Sequence, residues 1–173
     1  MKTLTIMLTA AALAGLATAG AFAQQSGSPY RMNPNAPLSF EADAADALNP
    51  STCTTSLKGR VEIIKDKTRV RAQELTLFHK GRPGDCNGPV ERWEARGEVF
   101  YITPDQRVRS DRALYDDNRQ TATFTGNVVA VQGENVSTGG LLEVDLESNA
   151  FKMSGGAGGR VRGVLYPKTS GAR

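Results

Sequence analysis

A glycine-centred motif recurs along the chain and constrains its fold more than any other feature. The clearest copy is 121–131, TATFTGNVVAV, in which alternating apolar residues flank Gly126. Gly97, Gly126 and Gly155 follow one another at intervals of 29 residues, and Gly59 precedes Gly97 by 38. A fixed period of this size predicts stacked repeats, because one such unit cannot bury its apolar face alone. The chain should therefore form a stack of similar units around a shared apolar interior.

Each repeat predicts two strands joined by a short polar turn. Residues at even offsets from the glycine share one strand face, and this face is apolar in every copy except at Thr55. Odd offsets are partly apolar too, so either the outer face is also covered or the inward face is assigned wrongly by one residue. In the third copy we align Val136 with Val70 and Val108. This alignment loses one residue in the turn and regains it as a bulge at Gly139–Gly140.

The composition favours an all-β protein with many turns, since the 173 residues include 18 glycines and only 6% aromatics. We predict that residues 38–167 form an open β-jelly-roll, a solenoid-like stack of antiparallel strand repeats with an apolar interior trough and open edge strands at both ends. The residues predicted to face this trough are Leu57, Val61, Ile63, Val70, Leu75, Trp93, Val99, Tyr101, Val108, Phe124, Val128, Val136, Leu142, Phe151 and Met153.

The N-terminal residues 1–23 read as a secretory signal peptide. Lys2 precedes an apolar run, and Ala21-Phe22-Ala23 provides a cleavage site before Gln24. The alternative is an uncleaved membrane anchor, although the apolar run is short for a membrane span. Residues 24–37 are rich in Ser, Gly, Pro and Asn and predict a flexible leader, and 168–173 predict a flexible tail.

Export changes the interpretation of the two cysteines, Cys53 and Cys86. Disulfides persist in oxidising compartments, and each cysteine precedes the same repeat element, so stacking would bring the two together. We therefore expect a Cys53–Cys86 disulfide. The alternative is two unpaired thiols on separate turns.

The sequence contains no pattern typical of catalysis. His79 is the one histidine and has no second ligand at metal-binding spacing. Acidic pairs such as Asp116–Asp117 fall at strand ends and turns, where Asp commonly makes local hydrogen bonds. We predict a protein that is not an enzyme and has no metal or cofactor. The net charge of +3 comes from scattered side chains, which argues against a nucleic-acid partner.

Several segments resemble the OstA-like family of lipopolysaccharide transport proteins. They are PLSFEAD at 37–43, SDRALYD at 110–116, ATFTGNVV at 122–129 with QG at 132–133, and RVRGVLYP at 160–167. The resemblance covers about 37–168, essentially the whole chain predicted to be ordered. It implies a twisted, V-shaped β-jelly-roll in the periplasm. Its apolar interior would hold the acyl chains of lipopolysaccharide, and no bond would be made or broken.

The resemblance also implies partners. Copies would stack end to end with each other, with an inner-membrane anchored export partner at one edge, and with the N-terminal domain of an outer-membrane translocon at the other. Together they would carry lipopolysaccharide from the inner to the outer membrane. Two alternatives stay open at this point. One is an inner-membrane anchored relative of the same fold, and the other is a structural or adhesive β-repeat module that binds protein or glycan.

Overall fold

In the part of the chain that the structure describes, ten β-strands pair into one antiparallel sheet. The computed structural model describes residues 30–33, 35–148, 150–157 and 159–167, so the predicted signal peptide and tail lie outside the described residues. The strands are β1 (Leu38–Glu41), β2 (Ala44–Ala45), β3 (Thr54–Lys65), β4 (Thr68–His79), β5 (Val90–Ile102), β6 (Gln106–Asp116), β7 (Thr121–Gln132), β8 (Asn135–Asp145), β9 (Phe151–Ser154) and β10 (Arg162–Val164).

Along the sheet the strand order is β1, β3, β4, β5, β6, β7, β8 and β10, with β2 also on β3 and β9 also on β8. The described residues thus form an open all-β sheet that does not close into a barrel, which confirms the predicted fold class. Within the part of the chain that the structure describes, no helix is long and apolar enough to cross a membrane.

The six long strands, β3 to β8, are bent at mid-length, and the bends divide the sheet into two halves. Each ladder changes register at the same level, for example between Lys58 and Val61 in β3 and between Thr125 and Val128 in β7. Half-sheet A contains 38–41, 61–72, 99–110, 128–139 and 162–164. Half-sheet B contains 44–45, 54–58, 74–79, 90–96, 112–125, 141–145 and 151–154.

The repeated glycines cause these bends. In β7, Gly126 and Asn127 have φ values of +76° and +45°, so two successive residues adopt the left-handed conformation. The pairs that begin at Gly59 and Gly97 do the same in β3 and β5. At Gly126 a side chain is also excluded by space, because a Cβ there would lie 2.9 Å from the Cβ of Asp111. The glycine-centred motif therefore marks the bend in β3, β5 and β7.

The two short strands at each end act as one bent strand. β1 pairs with the half-sheet A part of β3, and β2 pairs with its half-sheet B part. At the other end, β9 and β10 pair in the same way with β8. Within the described ranges the sheet is thus built from eight bent strands, and its edges there are β1/β2 and β9/β10.

The third hairpin corrects our alignment of Val136. The register pairs Ala130 with Ser137, just as it pairs Tyr101 with Val108, while Val136 pairs with Val131 on the outer face. In all three repeats the turn consists of the two residues that lie seven and eight positions after the glycine. No residue is therefore lost in the turn of the third copy. Val136, which we predicted to face inward, is therefore one position away from the inward site, and Ser137 occupies that site.

Arginine side chains explain why the outer face carries apolar residues. On half-sheet A, Ile102 pairs with Arg69 on one neighbouring strand and with Arg107 on the other. Phe100 lies in the same way between Arg71 and Arg109. Because arginine stems cover apolar surface while their charged ends stay in water, these positions are only half-exposed. The arginines thus account for the partly apolar odd offsets, while most residues at even offsets are buried.

A disulfide joins Cys53 to Cys86 across a sequence separation of 33 residues. Cys86 lies in the insertion between β4 and β5, and Cys53 directly precedes β3. A backbone hydrogen bond ties the same two segments together, since the Gly84 amide donates to the Pro50 carbonyl. At the end of β4, the His79 amide also donates to the Cys53 carbonyl. The crosslink fixes the insertion against half-sheet B.

Candidate lipid-binding interior

The interior lies between the two half-sheets and is lined by one face of every long strand. Phe124, Leu57 and Val99 at its centre have no exposed surface. The remaining buried apolar residues of this core are Val61, Ile63, Val70, Ala72, Leu75, Leu77, Trp93, Ala95, Tyr101, Val108, Ala113, Tyr115, Ala122, Val128, Leu142 and Val144. The interior is therefore a continuous, closely packed apolar layer.

Two aromatic pairs mark the side of this layer that faces the strand tips. Trp93 stacks on Tyr115 with ring centroids 5.6 Å apart, and Tyr101 packs against Phe124 at 5.4 Å. Burial raises the pKa of Tyr101 to about 12. Burial also raises the pKa of Tyr115, whose hydroxyl donates to Asp117 Oδ1 at 2.6 Å. Both phenols thus present polar ends at the border of the apolar layer.

A cavity of about 360 Å³ opens at this border, between the β5–β6 turn of half-sheet A and the β6–β7 and β8–β9 turns of half-sheet B. We call this opening the mouth. Its volume falls at the small end of the range of small-molecule pockets, about 300–1,000 Å³. The lining residues are Tyr30, Arg31, Met32, Tyr101, Thr103, Asp105, Gln106, Tyr115, Asp117, Gln120, Gln132, Leu146 and Glu147.

The segment Tyr30–Asn33, which precedes β1, lies across the mouth. The Tyr30 hydroxyl donates to Asp66 Oδ2 at 3.0 Å and accepts from the Lys67 amide at 3.2 Å. The Asn33 amide also donates to Asp66. The hydrogen bonds from Asn33 and Tyr30 hold the pKa of the Asp66 carboxyl below its usual value. This part of the predicted leader is thus bound to the turns of half-sheet A.

The two edges of the sheet expose apolar side chains. At the β1/β2 edge, Phe40 is 48% exposed. At the β9/β10 edge, Phe151 is 53% exposed, Val164 55% and Leu165 76%. A cavity of about 90 Å³ at this second end is lined by Leu142 and Ala130 from the interior together with Phe151 and Leu165. The apolar interior therefore reaches the surface at the β9/β10 end.

Comparison with known proteins agrees with this geometry. A family model described as "LptA/(LptD N-terminal domain) LPS transport protein" matches residues 40–150. The chain belongs to this family. The match confirms the resemblance that the sequence motifs indicated, and it gives the chain a role in lipopolysaccharide transport. Proteins of the LptA/LptD N-terminal family are non-enzymatic, as the sequence predicted for this chain.

Two individual proteins are similar to this family member over most of its length. An uncharacterized protein of Rhizobium meliloti (strain 1021) is 25% identical over 163 residues, which cover 90% of this chain and 87% of the relative. The crystal structure of LptH, the LptA-homologous periplasmic component of the lipopolysaccharide transport device of Pseudomonas aeruginosa, superposes with a TM-score of 0.66. That match covers 76% of this chain and 96% of LptH at 17% identity, so it shows a shared fold.

The structure brings most of the predicted inward residues of this LptA-like chain into one layer. Three of them differ from the rest. Val136 faces outward, as described above. Phe151 pairs with the buried Val144 and so lies on the inward face, yet it is largely exposed because β9 is an edge strand. Met153 is only partly buried against the core.

The predicted set also left out buried residues of the interior. Leu77, Tyr115 and Val144 lie in the half-sheet B parts of β4, β6 and β8. In these strands the spacing of inward-facing residues changes at the bend from two to three. In β4, for example, the inward-facing Ala72 is followed by Leu75. Counting onward from the bend by two residues would have identified all three.

Proposed function

We propose that this protein is a periplasmic lipopolysaccharide-binding bridge. Its interior holds acyl chains, and its two edges join it to further copies and to membrane-bound partners of the transport system. An inner-membrane anchored protein would pair at one edge and the N-terminal domain of an outer-membrane translocon at the other. Lipopolysaccharide would then pass from the inner to the outer membrane without leaving an apolar environment.

One observation carries this proposal: the apolar layer continues through all eight bent strands and ends at edges that are not paired within the described chain. A lipid acyl chain transferred into such a layer gains about 0.8 kcal/mol for each buried CH₂ group. Exposed edge strands can accept another strand by β-augmentation. Phe40 at one edge and Leu165 at the other supply apolar contact area for such pairing.

Two features support a periplasmic location. The predicted signal peptide would direct export, and the Cys53–Cys86 disulfide is a bond that persists in oxidising compartments. The likeness to LptH, which is described as a periplasmic component, agrees with both.

Photo-crosslinking tests the interior. A photoreactive amino acid at Phe124 or Val128, which have 0% and 1% exposed surface, should capture lipopolysaccharide in cells. Thr125 and Asn127 lie on the same strand between them and point the other way, so they are matched controls. Capture at the control positions but not at Phe124 and Val128 would place the lipid on the outer face and refute the proposal.

The same chemistry tests the edges. A photoreactive amino acid at Phe40 or Leu165 should yield covalent adducts with a second copy or with a membrane-bound partner. A position on the outer face of a central strand, such as Thr123, should yield none. If neither edge position crosslinks to protein, the end-to-end arrangement is wrong. If lipid capture fails as well, a structural module that binds protein or glycan becomes the better explanation.

A further inference from the structure

Apart from the cavity of about 90 Å³ at the β9/β10 end, the described interior contains little free space away from the mouth. No more than 1% of the surface is exposed at Phe124, Val128 and Leu142. A packed interior of this kind has few voids larger than a water molecule. The mouth cavity, in contrast, has about 360 Å³ and lies directly against Tyr101 and Tyr115 of the core. An acyl chain can therefore begin to enter at the mouth with less repacking than elsewhere.

The lining of the mouth suits an amphiphile that enters tail first. Its inner wall consists of Tyr101, Tyr115 and Leu146, of which Tyr101 and Tyr115 belong to the apolar core and Leu146 packs against it. Its rim is polar and includes Asp105, Gln120 and Glu147. A tail would meet apolar surface at once, while a polar head group would stay at the rim in water.

The segment Tyr30–Asn33 forms one wall of this space. Met32 packs against the core and lines the cavity. Its side chain is unbranched, flexible and apolar, which makes it the natural side chain most similar to a short stretch of acyl chain. The backbone amide of Tyr30 donates to Asp105, and the Tyr30 hydroxyl lies 3.2 Å from the hydroxyl of the buried Thr68. The segment thus spans two turns of half-sheet A and inserts an apolar side chain below them.

We propose that the mouth is the entry site for a lipopolysaccharide acyl chain and that Tyr30–Asn33 is a strap that the chain displaces. This inference rests on the proposed function and adds a step that regulates lipid entry. Strap docking and passage of an acyl chain from the mouth into the core exclude each other, because Met32 packs against the core surface that the chain must contact. The apparent affinity for lipid is then reduced by the fraction of molecules in which the strap is closed.

The strap predicts that removing one of its own hydrogen-bonding groups strengthens lipid binding. Tyr30→Phe removes the hydroxyl that contacts Asp66, Lys67 and Thr68. A net loss of one hydrogen bond corresponds to about a fivefold change in an equilibrium constant. The strap should therefore open about five times more often, and lipopolysaccharide should bind up to about fivefold more tightly.

The experiment uses the full chain, exported and purified with its disulfide intact. Dissociation constants are measured for lipopolysaccharide and for dodecanoate, a plain acyl chain without the sugar head group. Hydrogen–deuterium exchange is followed at 30–33, where the amides of Tyr30 and Asn33 donate hydrogen bonds to carboxylates. The matched control is Asn49→Ala, which removes the hydrogen bond that Asn49 Oδ1 accepts from the Ser51 amide. Neither residue lines the mouth.

We expect both ligands to increase deuterium uptake at 30–33 and Tyr30→Phe to tighten binding, with no change in Asn49→Ala. Weaker binding by Tyr30→Phe would mean that Tyr30 is part of the lipid site, and it would overturn the strap. Lipopolysaccharide binding with unchanged uptake at 30–33 would also overturn the strap while leaving the proposed function intact. Displacement by dodecanoate without any binding of lipopolysaccharide would retain the entry site and refute the proposed function. Binding of neither ligand would refute both.

Discussion

The bend at Gly126 offers the sharpest test of how this sequence specifies its fold. Gly126→Ala adds one methyl group at a residue with φ of +76°. An L-residue in the left-handed region costs about 1–2 kcal/mol. The new Cβ would also lie 2.9 Å from the Cβ of Asp111, so one of the two strands must move. Overpacking of this kind costs about 1–3 kcal/mol. The expected total is about 2–5 kcal/mol of unfolding free energy.

Gly133→Ala is the matched control. Gly133 also has a positive φ, +59°, but it lies in the β7–β8 turn, where an added Cβ would meet nothing within 4 Å. Only the cost of the left-handed conformation remains, about 1–2 kcal/mol. The difference between the two variants therefore isolates the close approach of β7 to β6 at the bend.

Urea unfolding under oxidising conditions measures both variants. Trp93, the one tryptophan of the chain, is buried against Tyr115 and reports on the interior by its fluorescence. We expect a larger fall in midpoint for Gly126→Ala than for Gly133→Ala, with similar m-values. Equal losses in the two variants would refute the argument that space at the bend, and not only backbone conformation, demands glycine.

Two further predictions concern the disulfide and the buried phenols. Replacing Cys53 and Cys86 together by serine should lower the unfolding free energy by about 3–4 kcal/mol, from the chain entropy of a 33-residue loop. A loss below about 1 kcal/mol in urea unfolding would contradict this. Because burial raises the folded pKa of Tyr101 to about 12, its contribution to stability is complete below pH 10, the ordinary value, and is lost as the pH rises towards 12. Tyr101→Phe should therefore lose less stability than the wild type between pH 10 and pH 12, and equal losses in urea titrations would argue against the burial effect.

Much of the fold follows from spacing in the sequence. The repeated glycines fixed the alignment of the copies, and the even offsets from them placed Leu57, Val99 and Phe124 in the interior, where all three are fully buried. This succeeds because a strand has a side-chain period of two, so one fixed point per strand determines the face of each nearby residue. The Val136 alignment failed because we matched valine with valine instead of counting from the glycine.

The mouth could not be predicted in this way. The strap depends on single side chains that act over long distances along the chain, such as the contact of the Tyr30 hydroxyl with Asp66. The surrounding residues are rich in Ser, Gly, Pro and Asn, a composition that indicates a loop without indicating what the loop contacts. A lone tyrosine and a lone methionine within it carry no periodic signal. Only the three-dimensional structure brings them to the turns of half-sheet A.

The number of bent strands has a consequence for assembly. The described residues form eight, and successive strands alternate in direction, so β1/β2 runs from half-sheet A to half-sheet B while β9/β10 runs the opposite way. An even count means that a second copy placed head to tail presents a strand of the correct polarity. The ladder then continues antiparallel across the junction, with each half-sheet meeting its counterpart. With an odd count the same junction would be parallel. Because the two edges differ in sequence, every such junction has the same direction, and a string of copies has one distinct head and one distinct tail.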